Sequence, residues 1–185
     1  MKKTIFSILV LLSTLYASDK TTTIDNCKWA YENKIYDSAI TVCTEAALTY
    51  NDAKSAAILG MIYKNGLGTP KNGKRSLAMF KLAGEWGIPL AYYWLSVYYR
   101  NGENGAEKNP SKSFYFCKEA ADSGIDDAQF NLGNYYFEGF GTESNYNLAV
   151  RYWRLASSKG VADATSNLNN FCKAHASVDA CNQLK

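Results

Sequence analysis

Four leucines, Leu59, Leu95, Leu132 and Leu168, follow one another at steps of 36, 37 and 36 residues, and their surroundings recur with them. A period of that length holds two helices and their turns, and such units bury their apolar faces by stacking on one another. Four residues before each Leu stands a small residue (Ser55, Ala91, Ala128, Ala164). Directly after it comes a glycine or a small or polar residue (Gly60, Ser96, Gly133, Asn169). Four after it is Tyr63, Tyr99 or Tyr136, with Cys172 in the last unit. Steps of four place these residues on one helical face, and the small ones let a second helix approach closely. This is the first helix of each pair.

Glycines at 66 and 68, 102 and 105, and 139 and 141 follow it, where a positive φ stops a helix and reverses the chain. The second helix closes on Ala46, Ala83, Ala120 or Ala156, with Cys43, Phe80, Cys117 or Trp153 three residues earlier. Gly87, Gly124 and Gly160 end the last three of these helices. Pro70 and Pro110 are expected in the loops inside the pairs. The predicted organisation is a degenerate first pair over 18–54, with helices from Cys27 to Asn33 and Ser38 to Tyr50, then repeats over 55–90, 91–127 and 128–163. Residues 164–185 form a C-terminal cap with a short segment from Val178 to Leu184. Atypical ends are expected of a stacked array, whose outer faces meet water.

The run A-x-x-x-L-G-x-x-Y-x-x-G-x-G, complete over 128–163 and good over 55–90, resembles the Sel-like repeat (SLR) family, a relative of the tetratricopeptide repeats. Residues 91–127 depart from it at Ser96 and in a stretched loop after Asn101. The resemblance implies an all-α, right-handed solenoid of antiparallel helix pairs that works by binding other proteins, with no shared catalytic residues. Some exported members of similar size are immunity proteins that occlude a lipase-type effector of type VI secretion. Secreted cysteine-rich members are described as β-lactamase-like, but their fixed spacing of paired cysteines is not found here. Nor are S-x-x-K and K-T-G, which a serine penicillin-recognising site needs.

Residues 1–17 combine Lys2 and Lys3, an apolar run from Ile5 to Tyr16, and a cleavage point at Ala17-Ser18, the layout of a secretory signal peptide. A periplasmic or secreted location is therefore expected, without stable membrane insertion after cleavage. Without that leader the bases fall from 20 to 18 against 17 acids, a balance that gives no strong pull toward nucleic acid. Five cysteines leave at least one unpaired within the chain. Cys27 with Cys43, and Cys172 with Cys181, are candidate disulfides that would staple the two ends, although sequence leaves the connectivity open. Cys117 occupies the core position of Phe80 and Trp153 and reads as an inert buried thiol.

Catalytic chemistry finds little to work with. His175 is the single histidine, and no C-x-x-C is present, so no metal and no cofactor is expected. Cys172 with His175 is the one local Cys-His pair, and no orienting third group accompanies it. The glycine pairs follow helices rather than strands and lack a Lys-Ser/Thr ending, which makes them turns rather than phosphate loops. What remains is a surface. If the first helices line the inner side, as in tetratricopeptide relatives, the inward positions lie two before, two after and five after each Leu. They give Ala57, Met61 and Lys64; Tyr93, Val97 and Arg100; Phe130, Asn134 and Phe137; and Ser166, Asn170 and Lys173. Lys64, Tyr93, Val97, Arg100, Phe130, Asn134, Phe137 and Asn170 are the candidate partner-binding residues, a mix of rigid aromatics and directed donors that suits binding hot spots. The leading expectation is an exported, non-catalytic scaffold for a protein partner, with an immunity protein or a β-lactamase-like hydrolase as alternatives.

Overall fold

The computed structural model describes residues 19–175 and 178–182; the expected leader and its cleavage point lie outside them. The described residues are helical, with no strand among them. They fall into two compact units, divided between Gly87 and Ile88.

The first unit holds α1 (19–32), α2 (Tyr36–Tyr50), α3 (Ala53–Asn65) and α4 (Gly73–Glu85). A disulfide joins Cys27 on α1 to Cys43 on α2. A closed loop of this size stabilises by about 3 kcal/mol on a chain-entropy argument. Helix α1 is already helical at residue 19, ahead of the expected start at Cys27, because its polar turns there are held tertiarily. The Tyr50 hydroxyl donates to Asp19 Oδ2 at 2.8 Å, and Thr23 is buried. In the following pair Gly60 lets α4 approach: a Cβ there would stand 2.6 Å from the Phe80 ring, and Ser76 Oγ donates to the Gly60 carbonyl at 2.8 Å.

The second unit holds α5 (Pro89–Asn101), α6 (Pro110–Asp122), α7 (Asp126–Glu138), α8 (Tyr146–Ser158), α9 (Ala162–Ala174) and the short α10 (Asp179–Asn182). Leu95, Tyr98, Leu132, Tyr135, Val150, Trp153 and Leu168 fill its core. Pro110, expected in the loop, is instead the first residue of α6, where its missing N–H costs nothing. The end of the unit is pinned by the Cys172–Cys181 disulfide and by Arg154, whose guanidinium donates to the Ala180 carbonyl at 2.5 Å.

One loop design recurs inside the pairs of both units. Gly66, Gly102 and Gly139 sit in the left-handed region and return their N–H groups to the last turn of the preceding helix. Asn72, Asn109 and Asn145 then cap the next helix by accepting from the backbone N–H three residues on. The backbone N–H of each Asn also donates to the carbonyl of Tyr63, Tyr99 or Tyr136. Both ends of the loop are thereby fixed, and the middle loop absorbs its extra residue at Asn104 and Gly105, both with positive φ.

Candidate functional site

Helices α5, α7 and α9, all in the second unit, are the first helices of successive repeats, and side chains connect them in that order. Arg100, in the last turn of α5, reaches α7, its guanidinium 5.3 Å from the Tyr135 ring centroid and 5.8 Å from that of Phe140. The face of an aromatic ring attracts a cation, by roughly 1 kcal/mol where partly desolvated. Beneath it lies a buried polar cluster: the Tyr135 hydroxyl is 2.8 Å from Ser113 Oγ, which donates to the Ser96 carbonyl at 2.9 Å. Burial above all raises the Tyr135 phenol pKa, so it stays a neutral hydroxyl.

Tyr93, Val97 and Phe130 are half-buried. Tyr93 and Phe130 pack against the core, and the Tyr93 ring meets Trp94 edge-on at 5.0 Å. Burial, then the Asp127 carboxylate, raises the Tyr93 phenol pKa. Lys64 belongs to the first unit, in the last turn of α3, and its ammonium donates to Asn65 Oδ1 at 3.4 Å.

From α7 to α9 the link is an amide. Trp153, only 2% exposed, donates its indole N–H to Asn134 Oδ1 at 2.9 Å, and Asn167 Nδ2 donates to the same oxygen at 3.0 Å. Asn134, Phe137 and Asn170, three of the sequence-derived candidates, meet here around a cavity of about 430 Å³. Trp153, Asn167 and Glu138 complete its polar side. Its apolar side is an aromatic cluster in which Phe137 lies 5.5 Å from Trp153 and 5.7 Å from Phe171, with His175 stacked on Phe171 at 4.4 Å. Phe137 is 42% exposed and Tyr146, 5.8 Å from it, 47%. Tyr93, Val97, Arg100 and Phe130 do not line this cavity, and Lys64 belongs to the other unit.

Sequence reasoning missed Asn167, Phe171 and His175 as cavity residues and placed Trp153 only in the core. Phe171 was within reach: three after each Leu stand Ile62, Tyr98, Tyr135 and Phe171, all buried. Asn167 carries no recurring signal.

Cys172 is bonded to Cys181 and is no thiol partner for His175. The remaining thiol, Cys117, is buried, and burial pushes its pKa up to about 12. Among the described residues no group of three or more His, Cys, Asp or Glu side chains is placed to hold a metal. None of the described helices is long and apolar enough to cross a membrane.

Stacked helix pairs with a recurring close approach and a recurring capped loop define a helical repeat protein of the solenoid class. The Sel1 repeat family model matches residues 53–85, 89–125 and 126–161, more than half of the chain, and the protein belongs to that family. Sel1 repeats generally mediate protein–protein interaction. A crystal structure of a Sel1 repeat protein from Oxalobacter formigenes has the same fold, with a TM-score of 0.74 at 25% identity, covering 86% of this chain and 63% of that one. So does a protective antigen of uropathogenic Escherichia coli that displays an SLR fold, with a TM-score of 0.77 at 23% identity, covering 89% and 36%. Among curated proteins the chain is 28% identical over 126 residues to the chitin synthase regulator SKT5 of Saccharomyces cerevisiae, covering 67% of this chain and 18% of the regulator. The chain thus spans less than a fifth of that relative.

Proposed function

We propose that this protein is an exported, non-catalytic interaction module that holds a protein partner on the face shared by α5, α7 and α9. The observation that carries the reading is the cavity at Asn134, Phe137 and Asn170, where exposed aromatic area lies beside side-chain amides. Interfaces concentrate their energy in such patches, because aromatic rings bring large area at small entropic cost. Arg100 extends the same face along α5 and α7. Its guanidinium is held in place by two rings, so ordering it against a partner costs little. Two disulfides at the ends of the array support a periplasmic or secreted location, since such bonds persist in oxidising compartments.

The test is capture of partners by the oxidised chain from its own cell-envelope extract, read by mass spectrometry, beside Arg100→Gln and Asn170→Arg. One dominant protein, retained by the wild type and lost with either variant, is the expected result. A secreted lipase as that protein would make the module an immunity protein. Equal capture by all three chains would remove this face from binding. An empty capture together with turnover of a chromogenic lactam would replace the module with a hydrolase.

A further inference from the structure

The first unit holds a cavity of its own, of about 450 Å³, between α1 and α3. Cavities that take small molecules measure roughly 300 to 1,000 Å³. Its floor is apolar: Ile24 and Tyr31 share one face of α1, and Ile58 lines the wall from α3. Ser55, also in the wall, gives a ligand no donor, because its hydroxyl and its backbone N–H both donate to Asp52 Oδ2, at 2.6 and 2.7 Å. Burial, then the neighbouring Tyr36, raises the Tyr31 phenol pKa, so that ring brings no charge.

Charge comes from four exposed side chains, Asp25, Lys28 and Glu32 of α1 and Lys54 of α3, two carboxylates and two ammonium groups. Lys28 and Glu32 face each other at 3.8 Å with side chains 70% and 60% exposed, and a pair so open contributes little to stability. Asp25 and Lys54 make no ion pair among the described residues. All four groups therefore turn to a ligand at small cost. Their balance of signs selects it. A cation gains two carboxylates but meets two ammonium groups, and an anion meets the reverse. A molecule with both charges at one end gains from all four, while its other end lies on isoleucine and tyrosine. An internal peptide segment, whose amides are uncharged, makes no use of them. We infer that the cavity between α1 and α3 binds a small zwitterion with one bulky apolar group, of which a free amino acid such as phenylalanine or leucine is the simplest. Lys28 and Lys54 take its carboxylate, Asp25 and Glu32 its ammonium, and Ile24, Tyr31 and Ile58 its side chain. The site shares no residue with the α5, α7 and α9 face and stands without the interaction-module reading.

The test uses the full, disulfide-intact chain with ¹³C-labelled isoleucine methyls. Phenylalanine and leucine should shift the Ile24 and Ile58 methyl signals and saturate them. Glycine lacks the apolar group, phenethylamine and phenylpropionate keep one charge each, and N-acetylphenylalanine amide keeps none. Each of these four should bind about tenfold more weakly than phenylalanine, the loss expected when one charged or apolar contact goes. Lys54→Glu, at an exposed position, leaves one ammonium and three carboxylates around the cavity. It should weaken phenylalanine about tenfold and make phenethylamine the tighter ligand of the two. Methyl signals unmoved by phenylalanine at tens of millimolar would overturn the site. Equal affinity for N-acetylphenylalanine amide would overturn the zwitterion and make the cavity a site for uncharged apolar groups. An order of ligands unchanged by Lys54→Glu would overturn selection by the charged groups.

Discussion

The helix pairs α5–α6 and α7–α8 occupy equivalent places in successive repeats, yet they solve the same contact differently. In the second of them Gly133 faces Trp153, and a Cβ on Gly133 would stand 2.4 Å from the indole Cδ1. In the first, Ser96 stands where Gly133 does and Cys117 where Trp153 does. Volume removed from one helix is thus returned on the other, glycine with tryptophan and serine with cysteine, and both sites are packed shut. The exchange has a polar consequence. A buried indole N–H needs an acceptor, and Asn134 supplies it; a cysteine makes no such demand, and the position equivalent to Asn134 is Val97. The amide that gives the cavity its polarity follows from the choice of tryptophan one helix away.

Truncation should separate the two pairs most. Trp153→Ala removes a buried ring that supports Phe137 and Phe171 and should cost about 3 to 5 kcal/mol in urea unfolding. Cys117→Ala removes one sulfur and should cost about 1 kcal/mol. Equal losses would mean that Trp153 contributes no more packing at its position than Cys117 does at the equivalent one.

Transplanting one solution into the other repeat is the next largest effect. Gly133→Ser alone forces the indole aside and should cost about 2 kcal/mol, more than the gain in helix propensity returns. In a Trp153→Cys background the same change should cost almost nothing, a coupling of about 2 kcal/mol in a double-mutant cycle. Additive costs would refute the volume exchange.

The fold was legible because its signals recur. A leucine every 36 or 37 residues, flanked by small residues and followed by Gly, predicts the helix pairs and their turns without tertiary information. The resemblance to Sel-like repeats rested on those same residues. Asn72, Asn109 and Asn145 recur at nearly the same step, but an asparagine in a loop looks the same in sequence whether it caps a helix or faces solvent. The part of α1 before Cys27 was hidden for a different reason: its turns from residue 19 are polar, and Tyr50, distant in sequence, holds them. At the site, helical spacing, with the inward face taken from tetratricopeptide relatives, put Asn134, Phe137 and Asn170 on one face. It was silent on Asn167 and on the stacking of Arg100 over Tyr135, because both depend on how neighbouring helices are staggered.

Removing the acceptor is the third test. Asn134→Leu places an apolar group where Val97 stands in the preceding repeat, but leaves the Trp153 N–H without its acceptor, at a cost of about 1 to 2 kcal/mol by thermal unfolding. In the Trp153→Cys background Asn134→Leu should be nearly neutral, since no N–H then needs satisfying. A full cost in that background would mean that Asn134 stabilises the fold through Asn167 instead.

The smallest effect belongs to the middle pair alone and appears only at alkaline pH. Burial raises the Cys117 thiol from an ordinary 9.0 to about 12, so between those values the unfolded chain releases a proton that the native chain keeps. The native state then binds more protons than the unfolded one, and stability falls as pH rises. Its contribution is fully present below about 9 and is lost progressively as pH climbs toward about 12. From about pH 8 to about pH 10 the wild type should lose about 1 kcal/mol relative to Cys117→Ala. Tyr135, whose phenol burial also raises, titrates in both chains, so the difference between them isolates the thiol. The same comparison made with Trp153→Phe should show no such alkaline divergence, because the contact at Gly133 contains nothing that ionises. A divergence there as large as at Cys117 would show that alkaline loss reflects loosened packing rather than the buried thiol.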